Sequence, residues 1–127
     1  FYFDLSPMLR IQKKIEKKIK KTHNLNEIIY NEDVAELEKA LTSKEYYIVS
    51  RYAFSEFPIS LRSRFENIIR NSKFSIFLFN VIFENIENEK YFHDLAKKIG
   101  KNLLIKDYYY PEQDSFTKKH KYYILND

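Results

Sequence analysis

The chain has 127 residues, which bounds it to one domain with a core of its own. A net charge of +4 is modest for a dedicated nucleic-acid binder, and the absence of cysteine excludes disulfides, thiolate metal sites and cysteine nucleophiles together. The single glycine excludes a Walker loop, a dinucleotide fingerprint and a nucleophile elbow within these residues, because each needs several glycines where backbone turns tightly or meets a ligand.

In chain order, Ser6-Pro7 suits a helix start, and Met8, Ile11, Ile15 and Ile19 follow at spacings of three and four as a narrow apolar stripe. Lys13, Lys14, Lys17, Lys20 and Lys21 take the opposite arc, and the helix should fade near Thr22 to Asn24. A second helix is expected from about Asn31 to Thr42, burying Val34, Leu37 and Leu41. Ser43 can cap a third, with Tyr47, Ile48 and Tyr52 inward and Val49 as a further candidate for its buried side. Pro58 opens a fourth carrying Leu61, Phe65, Ile68 and Ile69, and Asn71-Ser72 breaks it.

Residues 74–86 are apolar on almost every side, which predicts a central buried helix. A buried strand is the competing reading, since Phe, Ile and Val favour strands and short apolar runs are ambiguous. Asn88 should cap a sixth helix with Tyr91, Phe92, Leu95 and Ile99 inward, ending at Gly100 in the left-handed position. From about residue 107 the pattern is less regular, and the last residues read as a short helix or a docked extended tail. The longest apolar run is too short to span a membrane, and no secretory pattern or internal repeat stands out.

Seventeen lysines against five arginines, with abundant Ile, Asn, Phe and Tyr, point to a low-GC genome. Plentiful residues are therefore discounted and scarce ones weighted. Four arginines, Arg51, Arg62, Arg64 and Arg70, fall within twenty residues. Arg51 lies among Tyr46, Tyr47 and Tyr52, so guanidinium and phenol donors could meet one anion, and Arg62 and Arg64 flank the inward side of their helix. The candidate ligand-binding set is Arg51, Arg62, Arg64, Tyr47 and Tyr52, with His93 on the sixth helix. Ordinary salt bridging is the alternative for the arginines. The lysine face reads as a solvated helix surface; a nucleic-acid or ribonucleoprotein contact is its alternative use. The histidines show no metal spacing, and no local carboxylate pair or nucleophile suggests catalysis.

The run Leu95-Ala96-Lys97-Lys98-Ile99-Gly100-Lys101-Asn102-Leu103 resembles the helix-end pattern of globins, with Leu103 where the proximal haem histidine would stand. Residues 107–116, with Pro111-Glu112, are similar to the turn into the following globin helix. The resemblance implies a haem-free globin-like sensor domain of bacterial stress and sporulation regulators. Such domains are dimers, and some hold a fatty acid whose carboxylate meets an arginine.

The sequence thus predicts an all-α, cytoplasmic single domain of five to seven helices, spanning 1–127. The expected role is non-enzymatic: a regulatory or sensor-like domain that binds a partner protein, forms a homodimer and is gated by a fatty-acid-like ligand. It would have no metal or cofactor, haem included. A basic helical nucleic-acid factor is the alternative.

Overall fold

Side chains along Phe74-Ser75-Ile76-Phe77-Leu78-Phe79 turn to opposite faces in succession. Ser75, Phe77 and Phe79 are 0–1% exposed on one side, while Ile76 and Leu78 occupy the other. In a computed structural model that describes residues 2–3, 6–20, 30–31, 33–108 and 120–127, this stretch is a strand. The chain divides into two compact units, 1–42 and 43–127.

In the second unit, Tyr47–Arg51 forms β3 and Phe74–Asn80 forms β4, paired in parallel with Tyr47 opposite Phe74 and Arg51 opposite Leu78. His120–Asn126 (β8) runs antiparallel to β4, and Asn102–Asp107 (β7) runs antiparallel to β8. The sheet order is β3-β4-β8-β7, so three strands share one direction and β8 opposes them. A parallel pair cannot be joined by a tight turn. Here β3 reaches β4 through a 3-10 turn (Ala53–Glu56) and two short helices, α3 (Ile59–Arg64) and α4 (Glu66–Asn71). From β4 the chain passes through a small hairpin, β5 (Ile82–Phe83) with β6 (Ile86–Glu87), into α5 (Asn88–Ile99) and then β7.

The all-α expectation is therefore wrong, and so is the globin-like one. The predicted third helix is β3 and the predicted central helix is β4 with the β5–β6 hairpin. Aromatic and β-branched residues at period two suit a pleated surface packed on both sides, which an apolar run without a polar face cannot distinguish from a buried helix. Leu103, set beside a helix end by the globin resemblance, sits inside β7 opposite Leu125. Residues 109–116 of the second resembling segment lie outside the described residues.

The core lies between the sheet and its helices. Phe92 of α5 is fully buried, stacks on Tyr123 at 4.6 Å and meets Phe79 at 4.7 Å and Phe77 at 5.2 Å. Phe54 packs on Phe77 at 5.2 Å and edge-on to Phe65 at 5.7 Å. Such ring pairs add about 0.5–1.5 kcal/mol each beyond area burial. The helix α5 follows its expectation, with Phe92, Leu95 and Ile99 buried and Gly100 at φ +74. Asn88, expected as its cap, instead opens the helix and turns its side chain to Arg62.

Lys101 follows Gly100 and is buried. Its Nζ donates to Ser72 O (2.8 Å) and Asp127 Oδ1 (2.6 Å), pinning the start of β7, the end of α4 and the end of β8 together. The other face of the sheet, carrying Val49, Ile76, Leu78 and Leu104, is more open: Val49 is 79% and Leu104 47% exposed.

In the first unit, β1 (Tyr2–Phe3) pairs in parallel with β2 (Tyr30–Asn31), with α1 (Ser6–Ile19) between them in sequence. The apolar stripe of α1 is half exposed, with Ile11 at 51% and Ile15 at 50%, and Lys13, Lys14, Lys17 and Lys20 are exposed. Lys21 lies outside the described residues. The helix α2 (Val34–Leu41) buries Val34, Leu37 and Leu41 as expected, with Asp33 Oδ1 accepting from Ala35 N (2.7 Å) and Glu36 N (3.1 Å) as its cap. Among the described residues no helix is long and apolar enough to cross a membrane.

Candidate functional site

Sheets built from parallel strands and crossover helices bind their ligands outside the carboxyl ends of those strands. At that edge β3 ends with Arg51, β7 runs on into Tyr108, and the opposed β8 begins with His120. Pairing across β8 thus brings residues far apart in sequence onto one rim.

Tyr52, just past β3, sits at φ 64 and ψ −39, a left-handed backbone that a bulky side chain adopts at a cost of about 1–3 kcal/mol. Surrounding bonds hold it there. Tyr52 N donates to Leu78 O (2.9 Å), while Ser55 N and Ser55 Oγ donate to Tyr52 O at 2.9 and 2.5 Å. The turn redirects the phenol, and Tyr52 Oη lies 3.0 Å from His120 Nδ1 with the rings edge-on at 5.3 Å. Burial pulls the His120 pKa below the ordinary histidine value, so the imidazole is neutral at pH 7. Burial raises the Tyr52 pKa; the nearby Tyr108 and Tyr122 phenols add to this and Arg51 opposes it. Both groups therefore rest uncharged, in hydrogen-bond contact, at the rim.

Tyr108 completes the cluster. Its N–H donates to His120 O (3.1 Å), and its ring lies 6.3 Å from that of His120 and 5.4 Å from Tyr122. Beside it, Arg51, Tyr108 and Tyr122 wall a groove of about 240 Å³ over Val49, Ile76 and Leu78. The Arg51 guanidinium stands 5.9 Å from the Tyr52 ring centre and makes no ion pair among the described residues.

Of the expected ligand set, the structure brings Arg51 and Tyr52 together and disperses the rest. Tyr47 is at the opposite end of β3, 64% exposed, its hydroxyl donating to Glu45 Oε1 at 3.1 Å. Arg64 and His93 are exposed on α3 and α5. Arg62 is fully buried: Nε donates to Phe57 O (2.9 Å), Nη1 to Asn88 Oδ1 (2.8 Å) and Nη2 to Ser55 O (2.5 Å), among the rings of Phe54, Phe79 and Tyr91. It clamps the loop behind the rim. His120 escapes the sequence reading, and Tyr108 and Tyr122 read there only as members of tyrosine clusters open to stacking, interface or core use; the strand-like run of aromatic and branched residues in His120–Asn126 is the signal that sets His120 at a strand start. Among the described residues no group of three or more histidines and acids is placed to hold a metal ion.

No protein-family model matches this chain, and no curated protein sequence matches it significantly. Among solved structures, the methyltransferase domain of bacterial CtHen1-CN is similar, with a TM-score of 0.70 and 12% identity over 98% of this chain and 76% of that one. At that identity the likeness shows the fold. It overturns the globin-like sensor reading, and with it the expectation of a non-enzymatic regulatory domain.

Proposed function

We propose that this chain carries the acceptor side of a methyl-transfer enzyme, in which Tyr52 and His120 together remove the proton of an acceptor hydroxyl. The observation that carries the reading is the 3.0 Å contact between Tyr52 Oη and His120 Nδ1 at the ligand-binding edge of the sheet. The likeness to a methyltransferase domain supports it, but a fold hosts many activities and only the site's own residues distinguish them.

As the acceptor oxygen gains a methyl group it must lose its proton. Tyr52 Oη takes that proton while its own passes to His120 Nδ1, so the phenol stays neutral and the imidazole becomes imidazolium. Positioned proton transfer of this kind contributes about 10²–10⁴-fold. The strained Tyr52 backbone aims the phenol, and the Arg62 clamp holds the turn that follows it.

The likeness also implies a nucleoside methyl donor. Donors of that kind are cradled in doubly wound sheets by glycine-rich strand-to-helix turns, where backbone N–H groups approach the ligand. Gly100, the one glycine, instead caps α5, and a Cβ built there meets nothing within 4 Å. No glycine-rich turn of that kind lies among the described residues, so a donor would be held here by other means, and the reading rests on the acceptor side.

Transfer of labelled methyl groups from S-adenosylmethionine to a panel of phenol and sugar hydroxyls tests it. Tyr52→Phe and His120→Gln should each lower kcat about a hundredfold with little change in KM, and the double variant should be no slower than either single one, because the pair acts as a unit. Undiminished turnover in the single variants, or no acceptor methylated by the wild type, would overturn the reading.

A further inference from the structure

The open face of the sheet sorts its charges. Residues opposite one another across paired strands project to the same side, so Val49, Arg51, Ile76, Leu78, Tyr122 and Lys106 share this face. Arg51 and Lys106 are both exposed, and among the described residues neither makes an ion pair. Among the described residues, the acids near this end lie on the other side. Asp107 is opposite Lys121, whose Nζ donates to Glu89 of α5 at 2.8 Å. The groove thus joins an apolar floor, two phenol-bearing walls and positive charge that has no counter-ion among the described residues.

From this geometry we infer that the groove binds a small anionic ring compound: one flat six-membered ring bearing a carboxylate or phosphate. This names the acceptor class for the site proposed above, and rests on that reading. About 240 Å³ is smaller than a drug-sized pocket and suits one ring with its substituents. Ser50 also lines the groove, its Oγ already accepting from Phe54 N at 3.2 Å; the Val49, Ile76 and Leu78 side chains of the floor offer no hydrogen bonds, so it favours a flat apolar ring over a neutral sugar, which needs polar partners around its rim. Tyr108 and Tyr122, 5.4 Å apart and edge-to-face, supply ring contacts, and the planar Arg51 fork matches a carboxylate or phosphate. Tyr108 belongs both to the groove and to the Tyr52–His120 cluster, so a ring held on the floor lies beside the proton-accepting pair.

Binding to the full chain, measured by calorimetry and by saturation-transfer NMR without any methyl donor, tests this separately from catalysis. The probes are 4-hydroxybenzoate, phenyl phosphate, neutral 4-hydroxybenzamide and acetate. At least one of the two anionic ring compounds should bind about tenfold more tightly than both the amide and acetate, and the tighter of the two names the anion. Arg51→Gln should remove that preference. Val49→Glu, placed at an exposed position, should abolish anion binding while circular dichroism confirms the fold. Equal binding of anionic and neutral rings, no binding of either anionic ring, or wild-type affinity in Arg51→Gln would overturn the inference. Anion-selective ring binding together with no methyl transfer would leave the groove standing and remove the methyl-transfer reading.

Discussion

Arg62 offers a test of what holds the loop behind the rim. Replacing it with methionine removes a buried charge and three hydrogen bonds, leaving Ser55 O, Phe57 O and Asn88 Oδ1 without the donors that now serve them. Each orphaned buried acceptor costs about 1–3 kcal/mol, so the gross loss is several kcal/mol. Against it stands the desolvation of a guanidinium with no acidic partner among the described residues, also several kcal/mol, which methionine avoids. Burial indeed lowers the Arg62 pKa from its ordinary value. The three rings beside the guanidinium, at 5.0–6.0 Å, offset part of that penalty in the wild type. The expected balance is a net loss of about 2–3 kcal/mol, or a Tm lower by about 10 °C for a chain of this size. Arg62→Lys should fare worse, because it keeps the buried charge but cannot serve three acceptors in a plane. Thermal unfolding and denaturant midpoints at constant m-value measure both. A methionine variant as stable as the wild type, or more so, would show that burying the charge costs more than its bonds return.

The remaining predictions are smaller. His120 has a folded pKa below its unfolded value of about 6.5, so acid favours the unfolded chain: stability is full above that value and falls as pH drops toward the folded pKa. His120→Gln should flatten this part of the stability profile below about pH 6.5, and an unchanged slope would remove His120 as its source. Tyr123 is fully buried with a hydroxyl that finds no partner among the described residues, and burial pushes its pKa up to about 12. Tyr123→Phe should therefore keep the ring stack and gain about 1 kcal/mol by chemical denaturation, whereas a loss would reveal a hidden partner for the hydroxyl. Gly100→Ala meets no clash but must hold φ +74, so it should lose about 1–2 kcal/mol, and an asparagine there should lose less.

Amphipathic helices with chemical stop signals were legible in the sequence: α2 and α5 bury the residues their spacing selected, and Gly100 ends α5. The strands were not, because Tyr47, Ile48 and Tyr52 satisfy helical spacing as readily as alternation, and residues 74–80 have no polar face to reveal a period. Half of the site was legible. Weighting scarce arginines over abundant lysines led to Arg51 with its neighbour Tyr52, but the partner of Tyr52 is 68 residues away and is delivered only by the pairing of β8 with β4. Scarcity marks Arg62 as a ligand residue, but its partners are two backbone carbonyls and an amide, which leave no acidic signature in the sequence.

Placing β8 between β4 and β7 makes the sheet depend on a strand that follows all of its partners in the chain. Until residues 120–126 exist, β7 has no neighbour and β4 pairs only with β3; Phe74 must then wait for Asn126. Closure across such a separation is slow, and meanwhile two apolar strand edges stand open to other chains. The rim carrying Tyr52 and His120 is thus assembled in the same event that seals the sheet, so no partly folded form can hold the site. Proteolysis or truncation that removes β8 should abolish function and solubility together.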